Sequence, residues 1–445
     1  MRTMFLAICG LTLPATAQLA PPDTADLIIF AQRVHVMAPG AKDGVAVAIR
    51  GTRILAVSTR IGVLRYRGAQ TRLVRLNGAH VFPGLIDAHG DILGLGKRVD
   101  AINVAQFAAE ESVKIVTRRQ LLAAHDAMLR AGLTRVHDFG MDPSSLAIVK
   151  DLAAEGRWKI GVYGTLAAPA SEQDLPPADD AGPRARLRFR AVRLRADGRL
   201  ADRTAALLAD YTDAAGSGGM TTSAALLRQQ VAWCRDKGYQ PCVDASGDRA
   251  NRVVLDVLAG VLSLADRKRL RPRIEHAQVF SAPDLPRLAE LGVVASMQPR
   301  QLTTGMAWAL ARLGHDRVQG AYAWRTLLDR GTVVAFGTNT AEEPEDPYAA
   351  LFAAVTTRPP LMPEKGPYRP DQTLTRREAV AAFTTGAAYA AFEETVRGRI
   401  AAGYEADLTV VDRDLLGDGA LLGTRVLATI VAGERVYQRR TGVRR

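Results

Sequence analysis

Beyond residue 84 the chain alternates between short apolar runs and longer stretches whose apolar positions recur at helical spacing, the pattern of βα units. The runs predicted as strands are Leu85 to Ala88, Leu133 to Gly140, Ile160 to Thr165, Arg190 to Leu194, Pro241 to Ala245, Pro272 to His276, Val293 to Gln298 and Val333 to Gly337. Helical periods fall at Gln120 to Ala131, Ala224 to Gly238, Ala250 to Leu262, Leu285 to Leu291, Tyr322 to Asp329 and Arg376 to Ala388. Eight strands fed by helices suit a closed parallel barrel, so residues 84–388 are expected to form an α/β fold of the (β/α)8 TIM-like type. Both ends of the chain read differently. Leu27 to Met37, Val45 to Ile49, Ile54 to Val57 and Arg72 to Leu76 are strand-like, with Arg50-Gly51-Thr52 as a hairpin turn, and strands return at Asp407 to Val411, Val426 to Val431 and Arg435 to Tyr437. These segments predict one composite β-sandwich, residues 24–83 plus 389–437, beside the barrel.

Composition changes this picture only at its margins. With 445 residues, 48% hydrophobic and 23% charged, the chain has room for one large barrel and a smaller domain. Arg2, the apolar run Met4 to Leu13 and Ala15-Thr16-Ala17 read as a secretory signal over residues 1–17, giving an exported, periplasmic protein. No later apolar stretch is long enough to be an integral membrane segment. In an oxidising compartment Cys234 and Cys242 have the option of a bridge, although Cys242 heads a buried strand where a free thiol is equally at home. The net charge of +12 is densest at Arg184-Ala-Arg-Leu-Arg-Phe-Arg190, which is expected to be a solvated approach to a strand. With only Phe189 interleaved it lacks the stacking aromatics of a nucleic-acid groove, so no nucleic-acid partner is expected. The expected partner is a small-molecule ligand or substrate, and self-association is left open.

The stretch with chemistry is Val81-Phe-Pro-Gly-Leu-Ile-Asp-Ala-His-Gly-Asp91. It reads as a buried strand whose polar residues gather at its C-terminal end, the end of a parallel barrel where active sites lie. His89 and Asp91, one residue apart on extended backbone, point to one face and could reach a common metal.

This opening resembles the PGxIDxHxH motif of the amidohydrolase superfamily. The segments "VRLRADGRLADRTAALLADY", "GDRANRVVLDVL", "RIEHAQVFS", "ASMQP", "GAYAWRTLLDRG", "LTRREAVAAFTTGAAYAAFEE" and "GYEADLTVVDRDLL" look like amidohydrolase family 3, the branch similar to N-substituted formamide deformylases. That resemblance implies a barrel, a β-sandwich and, in active members, divalent metal hydrolysing C–N bonds of small amides. It also implies a long substrate-covering insert after the first strand, most of which is missing between Gly96 and Gln120.

Carried over motif by motif, the resemblance places the family's first-strand pair on His89 and Asp91, so one His has become a carboxylate. The metal-bridging carbamylated Lys falls on Arg193, and a guanidinium is never the neutral amine that carbamate formation requires. The fifth-strand His falls on Asp244, the sixth-strand His is retained as His276, and a pocket His falls on Gln301. The eighth-strand Asp, which takes the proton of the attacking water, falls on Asn339, a neutral amide without useful basicity. Asp197 closes the "VRLRADG" motif, and His137 is the one spare histidine at a strand end. An Arg193 charge about 4 Å from a divalent ion would cost roughly 8 kcal/mol at an effective dielectric near 20. The expectation is therefore no resident cofactor, with Arg193 neutralised by Asp91 and Asp244. The alternative is a mononuclear hydrolase whose single zinc or manganese is held by His89, Asp91, Asp244 and His276.

Overall fold

A computed structural model describes residues 24–101, 110–169, 171, 178 and 181–439. The signal-like residues 1–17 and the linker at Ala20 to Asp23 lie outside the described residues, as does most of the loop expected from Ala167 to Pro183.

Strands β1 (Ala25–Val34), β2 (Gly44–Arg50), β3 (Arg53–Ser58) and β4 (Arg67–Pro83) precede the barrel. Barrel strands are β5 (Leu85–Gly90), β6 (Leu133–Asp138), β7 (Gly161–Ala167), β8 (Leu187–Arg195), β9 (Gln240–Ala245), β10 (Arg273–His276), β11 (Val294–Met297) and β12 (Val334–Phe336). The tail adds β13 (Leu408–Val411), β14 (Val426–Val431) and β15 (Glu434–Gln438).

β5 to β12 pair in parallel and in sequence order. A Gly90–Thr340 bridge brings the first and last strands together. β5, β6 and β9 are buried along their whole length, as strands covered on both faces must be. Outward residues such as Val136, Val243 and Ile274 join one large apolar cluster with the surrounding helices. Those helices begin where the sequence supplies caps: Asp142 accepts the Ser144 and Ser145 amides ahead of Pro143–Ala154, and Ser223 accepts the Leu226 amide ahead of Ala224–Lys237. Helices also form at Ile92–Val99, Pro143–Ala154 and Pro299–Arg317; the first is only eight residues long with two glycines, and the apolar periodicity of the other two is weak.

Both chain ends do build one domain, but as a single seven-stranded sheet in the order β15-β14-β13-β4-β1-β2-β3. Its inner faces share one core, with Leu27, Val47, Ile54, Val81, Leu408, Val410 and Ile430 among its members. The sheet curls because its far edge meets the returning chain: Ile54 donates to the Tyr404 carbonyl and Ala406 to that of Thr52. The expected sandwich is thus one sheet whose strands from both chain ends share a single core.

The arginine run at 184–190 is not a solvated approach. Arg188 is 2% exposed and donates to the Ala391 carbonyl, Arg186 donates to that of Trp158, Arg184 pairs with Glu405, and Arg190 lies over the Phe392 ring. Arg188 and Arg190 lie on β8 and face the barrel floor, while Arg184 and Arg186 precede the strand and bond the tail and the Trp158 carbonyl. Cys234 and Cys242 are both buried free thiols, and burial pushes Cys234 up to about 12. Among the described residues no helix is long and apolar enough to cross a membrane.

Candidate active site

At the mouth of the barrel the interior is charged. Arg273 and Glu275 alternate with outward Ile274 on β10, and both are fully buried. Arg273 Nε donates to Glu275 Oε1 at 2.8 Å, its Nη1 to His137 Nδ1 at 2.9 Å, and its Nη2 to the Ala88 carbonyl at 2.8 Å. Glu275 Oε2 in turn meets His89 Nδ1 at 2.8 Å. The His89 ring stacks on Phe139 at 4.4 Å and stands 4.7 Å from the His276 ring. Burial lowers the His89 pKa against the raising effect of Glu275, so the ring is neutral and donates from Nδ1. Gly337 packs against the same residue, where a Cβ would come within 2.5 Å of the His89 backbone nitrogen.

Arg193, at the end of β8, donates to Asp244 Oδ2 from Nε at 2.9 Å, and its Nη2 lies 2.8 Å from the same oxygen as an ion pair. A second donor, Nη1, goes to the Phe139 carbonyl, and Arg195 approaches the same Asp244 oxygen at 3.8 Å. Asp91 is not a third partner in this fork. Strand β5 ends at Gly90, and Asp91 turns to cap the helix Ile92–Val99, accepting the Gly94 amide at 2.7 Å. Capping satisfies an otherwise orphaned helix amide, which a swing toward Arg193 would leave bare. His89 and Asp91 therefore do not reach a common point as a simple extended strand would have them do.

Arg193, Asp244, His276, Gln301, Asn339 and Asp197 all line one cavity of about 480 Å³. His276 Nδ1 donates to Gln298 Oε1 at 2.9 Å, with Gln301 Nε2 at 3.3 Å. Asn339, in the left-handed region at φ 65°, donates its amide to Glu342 Oε2 at 3.2 Å. The Asp197 carboxylate receives the backbone amides of Ala206, Ser246 and Gly247, and burial moves its pKa up to about 6. His137 lines neither this cavity nor its neighbour. It lies fully buried below the mouth and is occupied by Arg273, and burial together with that guanidinium holds it well below its usual pKa. A second cavity of about 920 Å³, with Phe139, Met141, Leu166 and Phe189 in its wall, adjoins the first through Arg193 and Arg195.

Sequence reading missed Arg273, Glu275 and Phe139. The signal was there in part: two charged residues at i and i+2 of the strand in "RIEH" must share a face, and a barrel interior requires them to be paired.

Whether these residues suit a divalent ion is a question of donor convergence. Among the described residues, the mouth does not bring three His, Cys, Asp or Glu donor atoms within 4.8 Å of one another. His89 keeps Nε2 free while Nδ1 bonds Glu275, but Asp91 is spent on a helix cap and Asp244 on a guanidinium. The set as arranged does not fit the ion.

Breaking the Arg193–Asp244 fork tests its worth. The Arg193 side chain is 23% exposed, so solvent screens the pair, and a double-mutant cycle of Arg193→Met with Asp244→Asn is expected to give a coupling of about 1–2 kcal/mol in urea unfolding. Additive single mutants would show that the fork contributes nothing.

A parallel eight-stranded barrel with polar residues gathered at its C-terminal mouth, joined to a sheet from both chain ends, defines the class of amidohydrolase-type barrels. The chain belongs to the amidohydrolase family, whose model matches residues 108–437. It is 31% identical over 255 residues to the amidohydrolase-like protein YtcJ of Bacillus subtilis (strain 168), covering 56% of this chain and 47% of that one. To the N-substituted formamide deformylase of Arthrobacter pascens it is 26% identical over 205 residues, 45% of this chain and 37% of that one. The matched region thus spans half or less of these relatives. An uncharacterized metal-dependent hydrolase from Pyrococcus horikoshii OT3 shares the fold, with a TM-score of 0.74 at 19% identity over 89% of this chain and 99% of that one.

Proposed function

We propose that this chain is a small-molecule binding member of the amidohydrolase family that does not hydrolyse amides by metal-assisted attack. The observation that carries this reading is the Arg193 guanidinium forked onto Asp244 at the mouth, where the resemblance to the family calls for a metal-bridging group. Arg193 is fixed there by two hydrogen bonds and an ion pair, and its charge opposes a divalent ion. The proton-accepting position is also empty of a base, since the Asn339 amide is neutral and already donates to Glu342. A ligand that suits the two adjoining cavities has a polar head, held among Arg193, Arg195 and His276, and an apolar body against Phe139 and Phe189.

The test is hydrolysis of N-substituted formamides with added zinc or manganese, before and after chelation. No turnover above the uncatalysed rate is expected in either condition. Chelator-sensitive turnover that Asn339→Ala abolishes would overturn the reading in favour of a mononuclear hydrolase.

A further inference from the structure

We propose that the composite sheet carries its own binding site for a divalent transition ion of the zinc class, formed by His35, His80 and Asp414. Among the described residues this is the one group whose donor atoms all lie within 4.8 Å of one another. His35 Nε2 stands 3.1 Å from His80 Nδ1 and 3.4 Å from Asp414 Oδ1. Donors on a tetrahedral zinc ion, at bonds of 2.0–2.1 Å, are separated by about 3.3 Å, so both spacings match an edge of that polyhedron. Two imidazoles and one carboxylate are a ligand set such ions favour, with the fourth position left to water.

The surroundings support the same assignment. The His35 ring is 1% exposed and stacks on Phe82 at 4.1 Å with the planes 8° apart, which fixes its orientation. Its other nitrogen, Nδ1, makes no hydrogen bond and faces Asp43 Oδ2 at 3.5 Å. A carboxylate behind the far nitrogen of a ligating histidine sets the tautomer that leaves the ligating nitrogen unprotonated. With Nδ1 carrying the proton, Nε2 presents a lone pair to the His80 nitrogen and lies near the Asp414 oxygen, and an ion would take the place of the proton that the two imidazoles share. Asp43 is held independently by Arg33 Nε at 3.0 Å and the Val36 amide at 3.0 Å, so it is already placed for that supporting role.

The two rings lie with their planes 18° apart and centroids 5.4 Å apart, and share a hydrogen bond. Seating the ion requires the His80 ring to turn so that both lone pairs meet off the line joining them. Access comes from the Asp414 side, whose side chain is 28% exposed.

Position in the chain gives the site a purpose. His35 follows β1, His80 lies on β4, and Asp414 follows β13, so an ion would tie the N-terminal strands to the tail. The proposal is independent of whether the barrel mouth is catalytic.

The experiment is titration of the full metal-free protein with Zn²⁺ followed by calorimetry and thermal melting, repeated with Co²⁺ to read visible absorption. One equivalent of Zn²⁺ is expected, with a melting temperature raised by a few degrees and a Co²⁺ spectrum of low coordination number. Asp414→Ala, at a partly exposed position, should weaken binding at least about tenfold, and His80→Ala should abolish it, while Asp244→Ala at the barrel mouth leaves it unchanged. Absence of stoichiometric Zn²⁺ binding in the wild type, or binding that survives in both Asp414→Ala and His80→Ala, would overturn the proposal. Should His80→Ala fail to fold, Asp414→Ala with the Co²⁺ spectrum decides alone.

Discussion

Arg273→Met is expected to destabilise the protein by about 3–5 kcal/mol at pH 7, the range for stripping one partner from a buried ion pair. Arg273 is fully buried and holds together Glu275, the Ala88 carbonyl, the Ser296 hydroxyl and His137. Burial alone would raise the Glu275 pKa. The Arg273 charge and the hydrogen bond from His89 outweigh it and hold the carboxylate at about 2, against 4.5 in the unfolded chain. A depressed carboxylate contributes stability that is present above pH 4.5 and lost as pH falls through 2, here about 3 kcal/mol. With methionine in place, burial drives Glu275 toward its neutral form, so the gap between variant and wild type should close on acidification. Urea unfolding at pH 7 and pH 3 reads both effects. A variant that costs under 1 kcal/mol at pH 7, or a gap that widens at pH 3, would show that Arg273 does not hold the charge. Replacing both members by apolar residues, Arg273→Met with Glu275→Leu, should recover part of the loss, because no unpaired charge remains.

Deleting residues 406–445 is expected to leave an insoluble chain. β13 lies between β4 and β14, its Leu408 to Val411 paired with Pro83 to His80. Ala406, Leu408, Val410, Ala428 and Ile430 are all buried in the sheet's core. Removing them opens the edge of β4 and uncovers apolar surface, the combination that templates aggregation. The tail also holds the barrel: the Thr409 hydroxyl donates to the Gly132 carbonyl at 2.6 Å and accepts the Leu85 amide at 3.0 Å, and the Thr429 hydroxyl donates to the Leu129 carbonyl. These bonds anchor β5, the strand that delivers His89 to the mouth. A soluble truncation with a cooperative melt would show that the N-terminal strands stand without the tail.

Much of the architecture was legible in the chain. Leu285–Leu291 and Val426–Val431 fall where periodicity put them, and each barrel strand lies within a few residues of its expected place. Apolar runs between polar breaks report burial directly, and burial on both faces is what a parallel barrel strand requires. Where periodicity failed, side chains were recruited by distant partners. The arginines at 184–188 looked solvated because nothing local pairs them, yet their partners are Glu405, the carbonyl of Trp158 and the chain around Ala391. His137 looked available for the same reason, and Arg273, more than a hundred residues away in the sequence, occupies it.

By itself the sequence determined much of what lines the barrel mouth, because strand period and motif order place Arg193, Asp244, His276 and Asn339 at strand ends, with His89 near the end of β5. It also determined that Arg193 is a permanent cation and Asn339 a neutral amide, since those are properties of the residues themselves. Only the tertiary structure decided how the mouth is wired. It spends Asp91 on a helix cap, joins Arg193 to Asp244, and couples His89 through Glu275 to a buried arginine. It also set His35 and His80 beside Asp414, drawn from opposite ends of the chain. The physical reason is that a side chain's identity fixes what it can donate, accept or carry, whereas its partner is fixed by strand register and chain return, which act across hundreds of residues and leave no local pattern.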